Sequence, residues 1–437
     1  MHSLDKINEY VTSLCQEVRW KKAHLRISKE MTNHIVDGRD TYVEQGLDEQ
    51  SATERAIADT GDATIIGSEL DRIHRPRPQW TMFAWVAVLL IIGVIASMFL
   101  YGDFNLLRHI LGVTIGIALM LGAYYIDFTI FGKYSYIIYG AVALLTVAIL
   151  FLPFSFVYFL NQHRLDTFRI VESFTLLFPL VFASVLFRAK SKGYVGGFIC
   201  WIAYGLLCVL SFWSHGSFFH FAIIGAALFV IAALRGWFGV HRIISALLAL
   251  ALSLFVIAVG IGGVVIFGNA HVTMRLLAIF NPYIEPYGAG WLPLLTREIL
   301  SGAVLLGEGH VNFEFLPSGH ADFLLTSLIS RFGWLPFAVV LSALLFFIFK
   351  ATMRCWRQKS GLGFLVSTAI VLTFSAQTLL FVAWNMGVIF AQISLPLISS
   401  NYFAMIINLG LIGFMLSVFR TGDVVVDEKF LPIKKAK

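Results

Sequence analysis

The sequence predicts an all-α protein: a polytopic membrane body of about ten transmembrane helices behind a small cytoplasmic helical head. Three observations carry that prediction. The 437 residues are 58% hydrophobic, 15% aromatic and only 13% charged, with a mean hydropathy of +0.80. Soluble chains usually carry about 25% charged residues, so an ordinary cytosolic enzyme is excluded. The apolar residues form long unbroken runs rather than alternating, which argues against an outer-membrane barrel. The charges are unevenly placed: residues 1–78 hold fourteen of the 26 acids, and residues 79–419 hold nine.

The charge step marks a boundary near Pro76–Pro78, between a head at 1–78 and a membrane body at 79–420, with a short tail at 421–437. The head has no short apolar core near Met1, so it does not read as a signal peptide. Leu4, Ile7, Tyr10, Val11, Leu14 and Val18 recur at helical spacing, and Leu25, Ile27, Met31 and Ile35 follow less regularly. Ser51-Ala-Thr-Glu54 has the form of a capping box ahead of Ala56. About three short helices are expected. The stretches Glu30–His34, Gly46, Ser51–Ala56, Thr60–Asp62 and Ile66-Gly67 resemble the permease-prefix (HAAS-type) domain found ahead of membrane proteins in Gram-positive bacteria. That resemblance implies a regulatory or docking head; a plain helical spacer is the alternative.

A membrane span needs about 20 apolar residues. Ten runs fit: 80–101, 106–127, 135–153, 170–187, 194–213, 217–234, 243–268, 322–349, 363–384 and 401–419. Loops after even-numbered runs carry Lys133, Arg188, Lys190, Lys192, Arg235, Arg242, Lys350, Arg354, Arg357 and Lys359, and the tail is basic. The opposite loops carry Arg108, Arg164, Arg169, Arg275 and Arg297. The positive-inside rule then places both termini in the cytoplasm. The net charge of +6 orients the chain against anionic lipid and does not indicate nucleic acid. Cys15, Cys200, Cys208 and Cys355 are too few and too scattered for a disulfide framework or a zinc site.

One extracytoplasmic loop, 269–321, breaks the pattern of short connections. It is rich in proline and glycine, and with its next residue it holds Glu285, Glu298, Glu308, Glu314 and Asp322, five of the nine acids of the body. Long loops in compact domains are usually functional, so acid–base chemistry is expected there. The loop reads Arg275-Leu-Leu-Ala-Ile-Phe-Asn281-Pro282-Tyr-Ile-Glu285-Pro286-Tyr-Gly288-Ala-Gly290-Trp291. Leu305-Leu-Gly307-Glu-Gly309 and Phe315-Leu316-Pro317-Ser-Gly-His320-Ala-Asp322-Phe323 follow. Later come Gly333, Asn385-Met386-Gly387 and Leu395-Pro396-Leu397-Ile398-Ser399. Together these resemble the SEDS family (FtsW/RodA/SpoVE) of shape, elongation, division and sporulation proteins.

The resemblance implies a multi-pass protein of the bacterial cytoplasmic membrane with ten spans. It implies a peptidoglycan glycosyltransferase that polymerises lipid II, the undecaprenyl-diphosphate-linked precursor. It also implies a class B penicillin-binding protein as partner. A sugar hydroxyl must attack an anomeric carbon with inversion and expel a lipid diphosphate. That chemistry calls for a carboxylate base and for cations, or a divalent Mg or Mn ion, at the diphosphate. A base near the membrane surface and partly desolvated would be tuned toward working pH. Glu285 falls on the position of the family's catalytic aspartate; an ordinary exposed loop carboxylate is the other reading. Arg275, Arg297 and Arg169 are candidates for diphosphate contact, against plain loop charges. His320 and Asp322 match the family's His-x-Asp, and Asp322 equally suits an N-cap on the eighth span.

The chain departs from the family at Leu292, at Ser301–Val304, at Ser318, at Ser330–Phe332 and at Trp213–Ser217. Two further readings therefore stand beside the enzyme: a non-catalytic regulator that binds wall precursors, and a flippase for a lipid-linked precursor. The spans hold few polar residues, which sets this chain apart from transporters.

Overall fold

The structure is a computed structural model. It describes residues 2–21, 23–74, 78–100, 106–152, 167–212, 215–239, 241–267, 270–311, 320–389, 393–399 and 401–422. It divides into two compact units that part between Gln79 and Trp80, within a residue of the charge step. Among the described residues there is no strand.

The head has four helices, one more than expected: α1 (His2–Glu17), α2 (His24–Glu44), α3 (Glu49–Thr60) and α4 (Ala63–His74). Ile7, Val11, Leu14 and Val18 form the buried stripe of α1, and Ile27 and Ile35 that of α2. Leu4 and Leu25 lie outside it, exposed. The capping box is displaced. Asp48 caps α3 by accepting from the Ser51 N–H at 3.1 Å, and Glu54 pairs with Lys6. Asp62 then accepts from the Thr64 N–H at 2.7 Å at the start of α4. A Cβ on Gly67 would stand 2.7 Å from Leu14 O, so glycine lets α4 cross α1 closely.

The body holds α5 (Trp80–Leu100), α6 (Leu106–Tyr125), the short α7 (Ile130–Lys133), α8 (Ser135–Leu150), α9 (Thr167–Thr175), α10 (Phe178–Ala189), α11 (Gly193–Ser211), α12 (His215–Leu234) and α13 (Arg242–Phe267). It continues with α14 (Ala270–Phe280), α15 (Trp291–Ser301), α16 (Leu324–Phe332), α17 (Trp334–Trp356), α18 (Gly361–Asn385) and α19 (Tyr402–Thr421). Among the described residues, eight helical stretches are long and apolar enough to cross a membrane, and two shorter apolar ones lie at His109–Tyr125 and Ser135–Leu150. They fall on the ten expected runs. α10 is the centre of the body: Phe178 and Phe182 are fully buried and pack on Phe221 of α12 at 5.6 and 6.1 Å between ring centroids. Pro179 sits in the first turn of α10, where its missing N–H costs nothing, and it breaks the helix from α9.

The eighth run differs from expectation. It does not span from 322; it breaks at Gly333 into the short α16 and the long α17. Gly333 has φ +93°, and a Cβ there would meet Leu305 O at 2.6 Å. The chain from Ala303 to Gly309 is laid across this break. Gly307 N–H donates to Phe332 O at 3.0 Å, Gly309 N–H to Ser330 O at 2.7 Å, and Trp334 N–H to Val304 O at 3.1 Å. The outer loop is also less irregular than its composition suggests, because α14 and α15 lie within it.

The start of α16 is buried, so its first N–H groups need partners that water cannot supply. Asn385, at the end of α18 and fully buried, supplies them. Its Oδ1 accepts from Leu325 N–H and Thr326 N–H, both at 3.0 Å. Its Nδ2 donates to Asp322 O at 3.1 Å and to Phe381 O at 2.9 Å, and its own carbonyl accepts from Thr326 Oγ1 at 2.8 Å. Phe323 packs on Trp384 at 5.0 Å, and Ile299 of α15 completes that small core. The Leu395–Ser399 turn is also specific. Leu397 has φ +62°, Ile398 N–H donates to Pro396 O at 2.8 Å, and a Cβ on Gly93 of α5 would stand 2.9 Å from Ile398 Cα.

Two stability outcomes follow. Gly333→Ala forces both a disfavoured backbone conformation and a clash with Leu305 O, so it lowers the thermal midpoint of the detergent-solubilised protein. Gly122→Ala, where the Cβ meets nothing within 4 Å, leaves the midpoint unchanged or raises it. Asn385→Ala strands several buried polar groups and costs about 2–4 kcal/mol; Val388→Ala, at an exposed side chain nearby, is the neutral control.

Candidate active site

Glu285 ends a single 3-10 turn, Pro282–Ile284, between α14 and α15. Asn281 starts that turn by accepting the Tyr283 N–H on its side chain at 3.1 Å. The backbone then folds back: Gly288 N–H and Gly290 N–H both donate to Glu285 O, at 3.1 and 3.0 Å. The closeness of this return explains the glycines. A Cβ on Gly290 would lie 1.9 Å from Pro282 O, and one on Gly288 would lie 2.7 Å from the Glu285 carboxyl carbon. Gly288 thus leaves room for the carboxylate, which accepts from the Ala289 N–H at 3.4 Å. Glu285 is exposed to the surroundings of the protein, and its neighbours Tyr283 and Tyr287 are exposed as well.

Arg169 and Asp322, 153 residues apart, come together. Arg169 Nη2 lies 3.1 Å from Asp322 Oδ2, with side-chain exposures of 28% and 17%. Arg169 stands on α9, and Asp322 in the 3-10 turn His320–Phe323 that leads into α16. The N-cap reading of Asp322 fails. Phe323 occupies the cap position, and the orphan N–H groups go to Asn385. The carboxylate is thereby left for Arg169. His320 lies in the same turn, placed beside Asp322 by the backbone.

Arg297 stands on α15 and donates Nε to Gly387 O at 3.0 Å. Gly387 has φ +65°, and a Cβ there would meet Pro293 O at 2.6 Å, so the glycine allows α15 to seat on the turn after α18. Arg275, on α14, is half-buried, and its desolvation pulls the guanidinium down from its ordinary value. It is not placed with the Arg169–Asp322 pair by any described contact. Arg331, on α16, is a further cation. It donates Nη1 to Phe99 O at 2.7 Å and so closes the last turn of α5 onto α16. Asn385 and Gly387 were visible only as a short motif; that they form the floor holding Asp322 and Arg297 needed the fold. Among the described residues there is no group of three or more His, Cys, Asp or Glu side chains that could hold a metal ion.

The chemical capacity of this face is therefore an exposed carboxylate on a tightly folded turn and arginines fastened to the framework nearby in sequence or fold. Against known proteins, the model of the FtsW/RodA/SpoVE family, described as a cell cycle protein, matches residues 78–422. The probable peptidoglycan glycosyltransferase FtsW of Idiomarina loihiensis is 23% identical over 271 residues, 58% of this chain and 62% of that protein. The protein of the same description from Buchnera aphidicola subsp. Schizaphis graminum is 25% identical over 158 residues, 33% of this chain and 43% of that one. The chain thus spans less than two thirds of the length of these curated relatives. A chain solved in a study of how a peptidoglycan synthase complex coordinates polymerization and crosslinking superposes with a TM-score of 0.58 at 17% identity, covering 78% of this chain and 98% of that one. The rod shape determining protein RodA of Thermus thermophilus gives 0.50 at 13% identity, covering 79% and 97%. The solved structures share the fold of the body. The family match runs through that whole body, and the chain belongs to the FtsW/RodA/SpoVE family.

Proposed function

We propose that this chain is a membrane glycosyltransferase that polymerises lipid II into peptidoglycan glycan strands. The observation that carries the reading is Glu285. It is an exposed carboxylate held by the Ala289 N–H in a turn that Gly288 and Gly290 make possible, and its sequence relatives are named probable peptidoglycan glycosyltransferases. Glu285 takes the proton from the attacking sugar hydroxyl as the new C–O bond forms with inversion at the anomeric carbon. The bond to the lipid diphosphate breaks, and the diphosphate departs with the electron pair. Arg169, Arg275 and Arg297 supply positive charge for it, and His320 and Asp322 order the adjoining turn. A divalent Mg or Mn ion, where one is bound, would add positive charge at the departing diphosphate.

A second reading, a non-catalytic regulator that binds wall precursors, is favoured by one observation: Arg169 already has Asp322 as a partner, and Arg297 already donates to Gly387 O. In either reading both termini are cytoplasmic, on the distribution of Lys and Arg among the loops. The four-helix head is a permease-prefix-like docking or regulatory domain. A class B penicillin-binding protein is the proposed partner of the outer loop and later spans.

Purified protein supplied with lipid II, with and without Mg²⁺ or Mn²⁺, is expected to form glycan strands, and Glu285→Gln is expected to abolish them. Polymer that persists in Glu285→Gln removes Glu285 as the base. No polymer under any condition, with or without a partner transpeptidase, selects the regulator. Labelled lipid II that crosses proteoliposome membranes would instead select the flippase. Activity unchanged by EDTA excludes the divalent ion.

Asp322→Asn separates placement from charge. The backbone carbonyl that Asn385 holds is retained, so the fold is kept at a cost of about 1–3 kcal/mol for the weakened ion pair, while polymerisation falls. Arg169→Gln should match it, and the double variant should be no worse than either alone.

A further inference from the structure

α14 presents large apolar side chains at the surface: among its residues whose side chains are described, Met274, Leu277 and Phe280 are exposed, Phe280 by 89%. At 100° per residue these three fall within one arc of the helix, and the half-exposed Thr273 falls in the same arc. The opposite arc holds Ala278, which is buried, and Arg275, whose guanidinium is half-buried. A surface helix in water shows its charge outward and its apolar stripe inward. Among the described side chains of α14, large apolar residues face out and the cation is half-buried.

The surface it continues is a lipid-facing one. α14 packs on α13, a span-length helix whose Val259, Val265 and Ile266 are exposed. Beyond α14 the exposed side chains change character. Ile284 is still aliphatic, but Tyr283 and Tyr287 are amphipathic rings, and Tyr287 is 97% exposed. Rings of that kind collect at the boundary between acyl chains and headgroups.

We infer that α14 is an interfacial helix whose Met274–Leu277–Phe280 face is embedded in the outer-leaflet lipid surface, with Tyr283 and Tyr287 at headgroup level. The occupant of this face is bulk lipid. The consequence is positional: Glu285, five residues after Phe280, is held at the depth where a lipid-linked diphosphate meets water. The inference does not depend on Glu285 being catalytic.

The test uses the full-length protein in nanodiscs. All four native cysteines are buried, so Leu277→Cys can be labelled with an environment-sensitive fluorophore in the native background; the unsubstituted chain controls for stray label. Val265→Cys, on the exposed face of α13, and Ile65→Cys, exposed on the head, serve as lipid and water references. The expected result is blue-shifted emission quenched severalfold more by shallow nitroxide lipid than by aqueous iodide, close to the Val265 reference. Quenching by iodide as at the Ile65 reference overturns the inference in favour of a water-facing helix. Protection from both quenchers overturns it in favour of a protein-covered face. Met274→Cys reads the same face should the Leu277 variant fail to fold.

Discussion

The carboxamide of Asn385 is the point on which the outer face of the body depends. α16 starts inside protein, where no water can take its first N–H groups, and an uncompensated start would be costly. One side chain accepts two of those N–H groups and donates to Asp322 O and Phe381 O. That arrangement fixes three things at once. It ends α18 where α16 begins. It sets Phe323 on Trp384, the small core on which Ile299 and so α15 rest. It also frees the Asp322 carboxylate from capping duty, so that it reaches Arg169.

The glycines make the same framework possible from the backbone side. Gly290, Gly333 and Gly387 each leave space that a Cβ would take from a carbonyl oxygen of another segment: Pro282, Leu305 and Pro293. Two of the three also have positive φ. Glycine at these three positions is therefore less a sign of looseness than of close backbone crossings.

The ten apolar runs were legible because hydropathy is a local property: a window of one span's length contains all the information. The break at Gly333 was not, because residues 322–349 read as one predominantly apolar run despite Arg331, and the break is made by Ala303–Gly309 pairing across it. The role of Asp322, a helix cap or part of the His-x-Asp motif, is not legible in sequence for a similar reason. Its partner Arg169 is 153 residues away, and the competing cap, Asn385, is 63 residues away on the other side. In the head the error was one of register. Both Asp48-x-x-Ser51 and Ser51-x-x-Glu54 have capping form, and Lys6, from another helix, draws Glu54 away. The turn around Glu285 was the most readable part of the site, since Asn281, Gly288 and Gly290 act within ten residues of one another.

Three of the charged groups that the proposed reaction uses have a contact to something rigid. Glu285 is held by the Ala289 N–H, Arg297 by Gly387 O, and Arg169 by Asp322, whose own backbone is held by Asn385. A long side chain that is free in solution loses rotamer entropy when it binds, on the order of 0.5–1.5 kcal/mol for each one immobilised. Side chains already held extended have less to lose. In the proposed reaction a diphosphate oxygen, which carries more charge than a carbonyl and at least as much as a carboxylate, would compete for these contacts. An anion-binding face would then gain preorganisation from the same tethers, and the pairing of Arg169 with Asp322 would orient the arginine for that exchange.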